Sequence, residues 1–201
     1  YIGIMCGTSL DSIDISIVSI TPIKIKVKSF NEYKLSNKLK EQINLAKQNN
    51  YSMKNLNKIN LDITTLISQY VKQSLKKERM THKDINALGF PGITLNHRPD
   101  LKKSTFIGDP ELLSKKLKIK IIADFRQTDI NAGGQGAPLA GLFHKHLNNI
   151  TNKKLTYLNL GGFANITVPY NNEIISYDTG PANYLMDLWC NNKFDMEFDL
   201  D

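Results

Sequence analysis

The strongest constraint on the fold is a three-strand pattern that occurs twice in the chain. In its first copy, Tyr1–Met5, Ile13–Ile20 and Lys24–Phe30 are short segments joined by turns. Apolar and polar residues alternate within Ile13–Ile20, which is typical of a strand with one buried face. The turn after the first strand, at residues 6–12, is rich in small and polar residues. We therefore predict that the chain opens with three antiparallel strands.

The second copy begins at Leu155. Leu155–Leu160, Ala164–Tyr170 and Glu173–Tyr177 again have the character of strands, and Gly161-Gly162 forms the first turn. The two copies have dissimilar sequences, so the repeat is one of architecture. We expect an α/β chain with a first lobe at residues 1–150 and the beginning of a second, similar lobe at residues 151–201. The second lobe is too short to build a core alone, and we expect a partner or a missing C-terminal half to complete it.

Between the two copies, helical and strand-like segments alternate. The predicted elements are helices at Leu35–Lys47 and Leu56–Leu75, a strand at Asp84–Phe90, a hairpin-like stretch to Ile107, a short helix after Asp109-Pro110, a strand at Ile119–Phe125 and a helix at about 138–147. The apolar run Ile119–Phe125 is typical of a central strand that is buried on both faces. Asp109 is expected to cap the short helix that follows it.

The composition is that of an ordinary globular protein. The chain has 201 residues, of which 41% are hydrophobic. No apolar run reaches the ~18 residues that a membrane-spanning helix needs. The chain begins with Tyr1, and we expect that its true start is missing. Cys6 and Cys190 make neither a disulfide framework nor a metal motif, which favours a reducing, cytoplasmic setting.

The net charge of +7 raises the alternative of a nucleic-acid-binding surface. The lysines are spread along the chain, and their densest cluster, at residues 115–120, is followed closely by one aromatic residue, Phe125. Such a cluster offers no platform on which bases could stack. We interpret the lysines as solvated and expect neither a nucleic-acid nor a membrane partner.

The turn Gly7-Thr8-Ser9 is a candidate phosphate-binding loop that ends in Asp11. Small residues let the backbone approach an anion, and successive N–H groups can form an anion-binding nest. Asp11 could hold a metal ion through water beside phosphates. An ordinary hairpin with a serine/aspartate turn accounts equally well for these residues.

Gly161-Gly162 repeats this arrangement between two strands, which suggests a second phosphate loop facing the first. Asp178 ends a predicted strand just before Gly180-Pro181, where a helix is expected to start. An aspartate at the carboxyl end of a strand is well placed to act as a general base. Capping of the following helix is the alternative role.

Arg126 follows the predicted central strand and could bind an anionic group with its planar guanidinium. A structural ion pair with Asp124 explains it equally well. The histidines form no metal motif, since His144 and His146 lie two residues apart on a predicted helix and point in different directions.

Taken together, these motifs resemble the signature series of the anhydro-N-acetylmuramic acid kinases, within the actin, Hsp70 and sugar-kinase superfamily. The motifs run in order along the whole chain: residues 3–11 (GIMCGTSLD), 107–110 (IGDP), 123–126 (ADFR), 133–139 (GGQGAPL), 159–165 (NLGGFAN) and 177–181 (YDTGP). The series is specific as a set, although each motif alone is weak.

The resemblance implies an actin-like, ribonuclease H-like fold with two lobes around a cleft. It implies an ATP- and Mg²⁺-dependent enzyme of peptidoglycan recycling that opens the 1,6-anhydro bond of its sugar and phosphorylates O6. Asp178 would be the catalytic base. The residues on the nucleotide side would be Gly7, Thr8, Ser9, Asp11, Gly161 and Gly162. Asp11 would also lie near the metal. The residues on the sugar side would be Thr94, Arg126 and Gln135. The partner is a small sugar, a second copy of the chain is a candidate partner, and the family acts in the cytoplasm.

The chain departs from the family pattern at several positions. Where the family has a Gly-Ser-His-Gly-Gln-Thr run, this chain has residues 89–94 (GFPGIT), and a cluster of three arginines has become Arg126-Gln127-Thr128. Ala182 replaces a glycine and Cys6 a serine. Members of the family are also roughly twice as long. A degenerate, non-catalytic remnant of the kinase is therefore the alternative, and we expect the 201-residue chain alone to be inactive.

Overall fold

The computed structural model describes residues 1–7, 9–48, 51–196 and 198–199. The chain divides into two compact units, Tyr1–Gly136 and Ala137–Asp201. The first unit contains the strands β1 (Ile2–Met5), β2 (Ser12–Thr21), β3 (Lys24–Lys34), β4 (Leu88–Phe90), β5 (Ile93–Arg98), β6 (Lys103–Ile107) and β7 (Ile121–Ala123) and the helices α1 (Asn37–Lys47), α2 (Met53–Lys77), α3 (Pro110–Leu117) and α4 (Phe125–Asn131). The second contains α5 (Gly141–Thr151), β8 (Tyr157–Leu160), β9 (Phe163–Tyr170), β10 (Glu173–Pro181) and α6 (Asn183–Phe194).

The first unit is built on a five-stranded mixed sheet in the order β3-β2-β1-β4-β7. β1, β2 and β3 are antiparallel neighbours, whereas β4 runs parallel to β1 and β7 runs parallel to β4. This arrangement confirms the predicted α/β lobe whose mixed sheet opens with three antiparallel strands. β5 and β6 form a separate two-stranded hairpin, as the sequence indicated.

The core of the first unit lies between the sheet and α2. Ile13, Ile15 and Ile17 are all buried, as their alternation predicted, and they belong to the same core cluster as Ile63 and Ile67 of α2. Burying each such side chain stabilises the fold by roughly 1.5–3 kcal/mol.

Polar groups of α2 also hold the start of α3. The Gly108 N–H donates to Asn60 Oδ1 at 2.7 Å, and the Asp109 N–H donates to Thr64 Oγ1 at 2.9 Å. The Asp109 carboxylate accepts from the Leu112 N–H at 2.9 Å, so it caps α3 as predicted.

The strand predicted at Asp84–Phe90 is confined to Leu88–Phe90, and two features predicted for residues 119–125 were wrong. The segment at residues 119–125 was expected to be a central strand, yet β7 lies at the edge of the described sheet and Ile122 is 41% exposed. The strand also ends before Phe125, because Asp124 adopts a left-handed conformation with φ of 60° and α4 begins directly after it.

The second unit has a three-stranded antiparallel sheet in the order β10-β9-β8. It repeats the opening of the first unit, as predicted. α5 packs against β9 and β10, where the His144 Nδ1 lies 2.8 Å from Thr167 Oγ1 and the imidazole stacks on Tyr157. These contacts assign α5 to the second unit. The lobe boundaries at residues 150 and 151 stay a prediction.

Many apolar side chains of the second unit face solvent. On α6, five of them are between 43% and 60% exposed: Tyr184, Leu185, Met186, Leu188 and Trp189. No helix in the described ranges has both the length and the apolar character needed to cross a membrane.

Candidate functional site

Three loops of the first unit lie at one edge of its sheet. β1, β4 and β7 run parallel, so their carboxyl ends share that edge. The turn beginning at Cys6-Gly7 follows β1, Pro91-Gly92 follows β4, and Asp124 follows β7. Ligands of open α/β sheets bind at this edge.

The turn after β1 is closed by a backbone hydrogen bond from the Leu10 N–H to the Gly7 carbonyl at 3.1 Å. Leu10 is 1% exposed although it has a φ of 62°, a conformation that is rare for a branched side chain. Its buried side chain therefore anchors one end of a tight turn whose Ser9 is exposed. Thr8, which was predicted to bind phosphate, lies outside the described residues.

Asp11 follows this turn and has a side chain that is 55% exposed. Its carboxylate lies 3.6 Å from Lys40 Nζ, and its carbonyl accepts from the Leu35 N–H at 3.2 Å. Within the described ranges there is no group of three or more histidine, cysteine, aspartate or glutamate side chains that could hold a metal ion. The donor set fits a cation bound mainly by phosphate oxygens and water, with one carboxylate.

Cys6, at the start of the turn, is half-buried and free. Burial raises the pKa of its thiol to about 11, and the positive charge of Lys47 opposes part of that rise. The side chain is therefore a neutral thiol at physiological pH.

The loop at residues 133–136 is fixed by two side chains of α4. Arg126 Nη1 donates to the Gly136 carbonyl at 2.7 Å, and Asp129 Oδ2 accepts from the Gly136 N–H at 2.7 Å. Gln135 precedes Gly136 and is exposed. The loop that carries Gln135 is thus fixed to the helix that carries Arg126.

The other predicted sugar-side residue, Thr94, is half-buried in β5 and pairs with Phe106 of β6. His97, further along β5, lies against Gly136, since a Cβ atom built there would be 3.0 Å from His97 Cε1. Sequence reasoning missed Asp129. Its spacing of three residues from Arg126 on a helix is the signal that could have found it.

The positions that depart from the family pattern are well packed. Phe90 is 1% exposed and meets Phe106 edge-to-face with ring centroids 6.4 Å apart, and Ile93 is 2% exposed. Gly108 leaves room for the Phe90 ring, because a Cβ atom at Gly108 would lie 2.3 Å from Phe90 Cζ.

Gln127, where an arginine is usual, is hydrogen-bonded through both its amide oxygen and its amide nitrogen. Its Oε1 accepts from the Ser104 N–H at 2.8 Å, and its Nε2 donates to the Lys102 carbonyl and to Asn131 Oδ1. The side chain therefore ties α4 to the β5–β6 hairpin.

In the second unit, the turn Gly161-Gly162 is held by the start of α6. The Asn183 N–H donates to the Gly161 carbonyl at 3.0 Å, and the N–H groups of Ala182 and Tyr184 donate to the Gly162 carbonyl at 2.9 and 3.3 Å. Asn183 Nδ2 also donates to the Leu160 carbonyl at 2.9 Å. The first amides of α6 are consequently used within the protein.

Neither Gly7 nor Gly161 is required by the local packing. Both lie outside the positive-φ region, and a Cβ atom would meet no atom closer than 3.5 Å at either position. Close approach of a ligand to the backbone is the remaining common reason for glycine in a turn.

Asp178 lies inside β10, opposite Asn165, rather than at the end of the strand. The strand continues to Pro181 through an irregularity between Asp178 and Gly180, and bulges of this kind often re-aim a side chain next to an active site. Asp178 does not cap α6, whose N-cap is Ala182, so that alternative was wrong. The carboxylate is exposed and has no hydrogen-bond or ion-pair partner among the residues that the structure describes. It is therefore accessible to a bound ligand.

Comparison with known proteins gives the family. The family model of anhydro-N-acetylmuramic acid kinase matches residues 1–201. An anhydro-N-acetylmuramic acid kinase of Sulfurovum sp. (strain NBC37-1) is 38% identical over 201 residues, which cover 99% of this chain and 56% of the relative. Kinases with the same description from Vibrio parahaemolyticus and Hydrogenovibrio crunogenus are 35% and 36% identical, over 100% of this chain and 55% of each relative.

The chain thus spans about half the length of the curated relatives that it matches. The match extends over every motif that carried the resemblance, and it confirms the predicted actin-like fold class. The chain belongs to the anhydro-N-acetylmuramic acid kinase family.

Proposed function

We propose that this chain is part of an ATP-dependent kinase that opens 1,6-anhydro-N-acetylmuramic acid and phosphorylates O6, giving N-acetylmuramic acid 6-phosphate for peptidoglycan recycling. The observation that carries the proposal is the family match over residues 1–201. The roles of individual residues given below are part of the proposal.

The two glycine turns bind the nucleotide phosphates in this proposal. Support comes from Gly7 and Gly161, because neither the backbone conformation nor the packing requires a glycine at these two positions. Backbone amides in such turns suit phosphate oxygens.

Asp178 activates the water that opens the sugar. The water oxygen bonds to the anomeric carbon as its proton passes to the Asp178 carboxylate, and the bond from that carbon to O6 breaks. The freed O6 then attacks the γ-phosphorus, and ADP leaves. An exposed carboxylate without an internal partner suits a base that meets its substrate directly.

Thr94, Arg126 and Gln135 contact the sugar, whose carboxylate makes a cation useful. The Arg126 guanidinium donates to the Gly136 carbonyl at 2.7 Å, which fixes its position beside the loop that carries Gln135. Phosphoryl transfer depends on positioning and charge neutralisation, which Mg²⁺ beside Asp11 would assist.

We propose that the protein acts in the cytoplasm, where both the nucleotide and the sugar would be available to it. A second copy of the chain as partner is also a proposal. Because the chain spans about half of its relatives, activity is expected only when the remaining part is present.

The packing of the altered positions supports a maintained enzyme over a degenerate remnant. Phe90 fills the space beside Gly108, and Gln127 satisfies the Ser104 N–H. Loss of selection would not be expected to give replacements that fit their surroundings at two separate places.

The proposal is tested by Asp178→Asn in an active version that carries the C-terminal part found in the relatives. General-base assistance is typically worth about 10²–10⁴-fold, so turnover should fall by that factor while the protein stays folded. Asp195→Asn makes the same chemical change at an exposed position after α6 and should keep full activity. An Asp178→Asn enzyme with the wild-type rate would rule out the catalytic role.

A further inference from the structure

We infer that Asn183 is a positioning residue that holds the Gly161-Gly162 turn with its backbone N–H groups turned outward to bind an anion of the polyphosphate class. The inference rests on the proposed function, which assigns phosphate binding to this turn, and adds the residue that sets the orientation of the turn.

Three successive carbonyls of the turn bond in one direction, toward the start of α6. The Leu160 carbonyl accepts from Asn183 Nδ2, and the Gly161 carbonyl accepts from the Asn183 N–H. The Gly162 carbonyl accepts from the N–H groups of Ala182 and Tyr184. Asn183 supplies the donors of the first two of these bonds. In a regular strand successive carbonyls point in opposite directions, so this arrangement is specific to the turn.

The carbonyl directions determine where the amides point. The peptide bonds of the turn are trans, and in a trans peptide the C=O and the following N–H lie on opposite sides. The N–H groups of Gly161 and Gly162 therefore point away from α6. Within the described ranges neither has a hydrogen-bond acceptor. Two consecutive outward amides without internal partners form the kind of concavity that binds anions.

The side chain of Asn183 is chemically suited to this role. Ala182, the N-cap of α6, has no side chain that could satisfy the free amides of the helix start, and the carbonyls of the turn do so instead. Asn183 adds an amide donor 2.9 Å from the Leu160 carbonyl. An aspartate there would place negative charge against that carbonyl, and an alanine would leave it without the donor.

The Gly161-Gly162 turn and Asp178 lie near the same end of the three-stranded sheet. Asp178 pairs with Asn165, three residues after Gly162, which corresponds to about 10 Å along a strand. An anion on the turn would thus lie at the same end of this sheet as the proposed base.

The test uses a version that carries the C-terminal part found in the relatives, with inorganic triphosphate as the probe. Binding is measured by calorimetry, and the amide resonances of Gly161 and Gly162 are followed by NMR during the titration. The wild-type chain should bind, with both resonances shifting. Asn183→Ala should weaken binding about tenfold and Asn183→Asp more than that, whereas Asn183→Ser, which keeps a donor, should fall between Asn183→Ala and the wild type.

Asn192→Asp is the matched control, because it makes the same change at an exposed position of α6 and should stay within twofold of the wild-type affinity. Thermal unfolding, followed by circular dichroism at 222 nm, reports the folded fraction of each variant. Asn183 variants that lose stability but bind triphosphate normally when folded would overturn the inference and leave the proposed function intact. A wild-type chain whose Gly161 and Gly162 amides do not respond to triphosphate would overturn the inference and also the assignment of phosphate binding to this turn.

Discussion

The contact between Phe90 and Gly108 leads to a quantitative prediction about stability. Gly108 has a φ of 110°, and a Cβ atom there would lie 2.3 Å from Phe90 Cζ and 2.7 Å from Phe90 Cε1. Gly108→Ala should therefore cost about 1–3 kcal/mol for the backbone conformation and a further 1–3 kcal/mol, roughly, for overpacking.

Phe90→Ala removes a fully buried ring and should cost about 3–5 kcal/mol. In that background the added methyl group at residue 108 enters vacated space, so only the backbone cost of Gly108→Ala should remain. The double-mutant cycle should give a coupling energy of about 1–3 kcal/mol, the amount typical of residues in direct contact.

Urea unfolding of the four proteins, followed by circular dichroism at 222 nm, measures each free energy. Gly3→Ala is the control, since no atom lies within 4 Å of a Cβ at that position and its φ is not positive. The control should leave stability unchanged or raise it by up to about 1 kcal/mol, because alanine restricts the unfolded chain more than glycine does. Additive effects of Phe90→Ala and Gly108→Ala, within about 0.5 kcal/mol, would refute the idea that the two positions are fitted to each other.

Three further predictions concern activity, pH and reactivity. The 201-residue chain with ATP, Mg²⁺ and the anhydro sugar should form no phosphorylated product above a no-protein control, because positioning of both substrates supplies much of the rate of such a reaction; clear turnover would contradict this. Burial lowers the pKa of His144 below its ordinary value, because the folded state disfavours the charged ring. The contribution of the neutral ring to the free energy of unfolding is therefore complete above the unfolded pKa of about 6.5, and it is lost as pH falls through the folded pKa. The free energy of unfolding, measured in urea by circular dichroism, should therefore fall between pH 7.5 and 5.5, by at most about 1.4 kcal/mol per pH unit from this group, and His144→Gln should flatten the profile. With a pKa of about 11, Cys6 in a Cys190→Ser background should react with iodoacetamide at pH 8 about 100-fold more slowly than an ordinary exposed thiol, and an equal rate would show that the thiol is not buried.

Local patterns were sufficient to predict most of the elements. The alternation in Ile13–Ile20 and the periodicity of Leu56–Leu75 each reflect one buried face, and the structure places β2 and α2 there. The apolar run at residues 119–125 failed as an indicator, because composition does not distinguish a central strand from an edge strand that ends at a left-handed residue such as Asp124.

The candidate site was predictable as a set of motifs but not as a set of contacts. The bonds from Asn183 to Leu160 and Gly161 join positions more than twenty residues apart, and no local pattern indicates them. Gln127 is a similar case. Its replacement of the usual arginine suggested loss of function, whereas its bonds to Ser104 and Lys102 are long-range contacts that no local pattern indicates. Asp178 was correctly placed near a helix start, although the strand runs past it.

The position of β3 at the edge of the sheet has a consequence for the behaviour of the chain in solution. An open strand edge of eleven residues is a template on which another chain can add a strand and begin to aggregate. Lys24, Lys26 and Lys28 are exposed along this edge, and self-pairing would bring their charges together. We therefore expect these lysines to oppose self-association, and neutralising the three should shorten the time for which a concentrated solution stays clear.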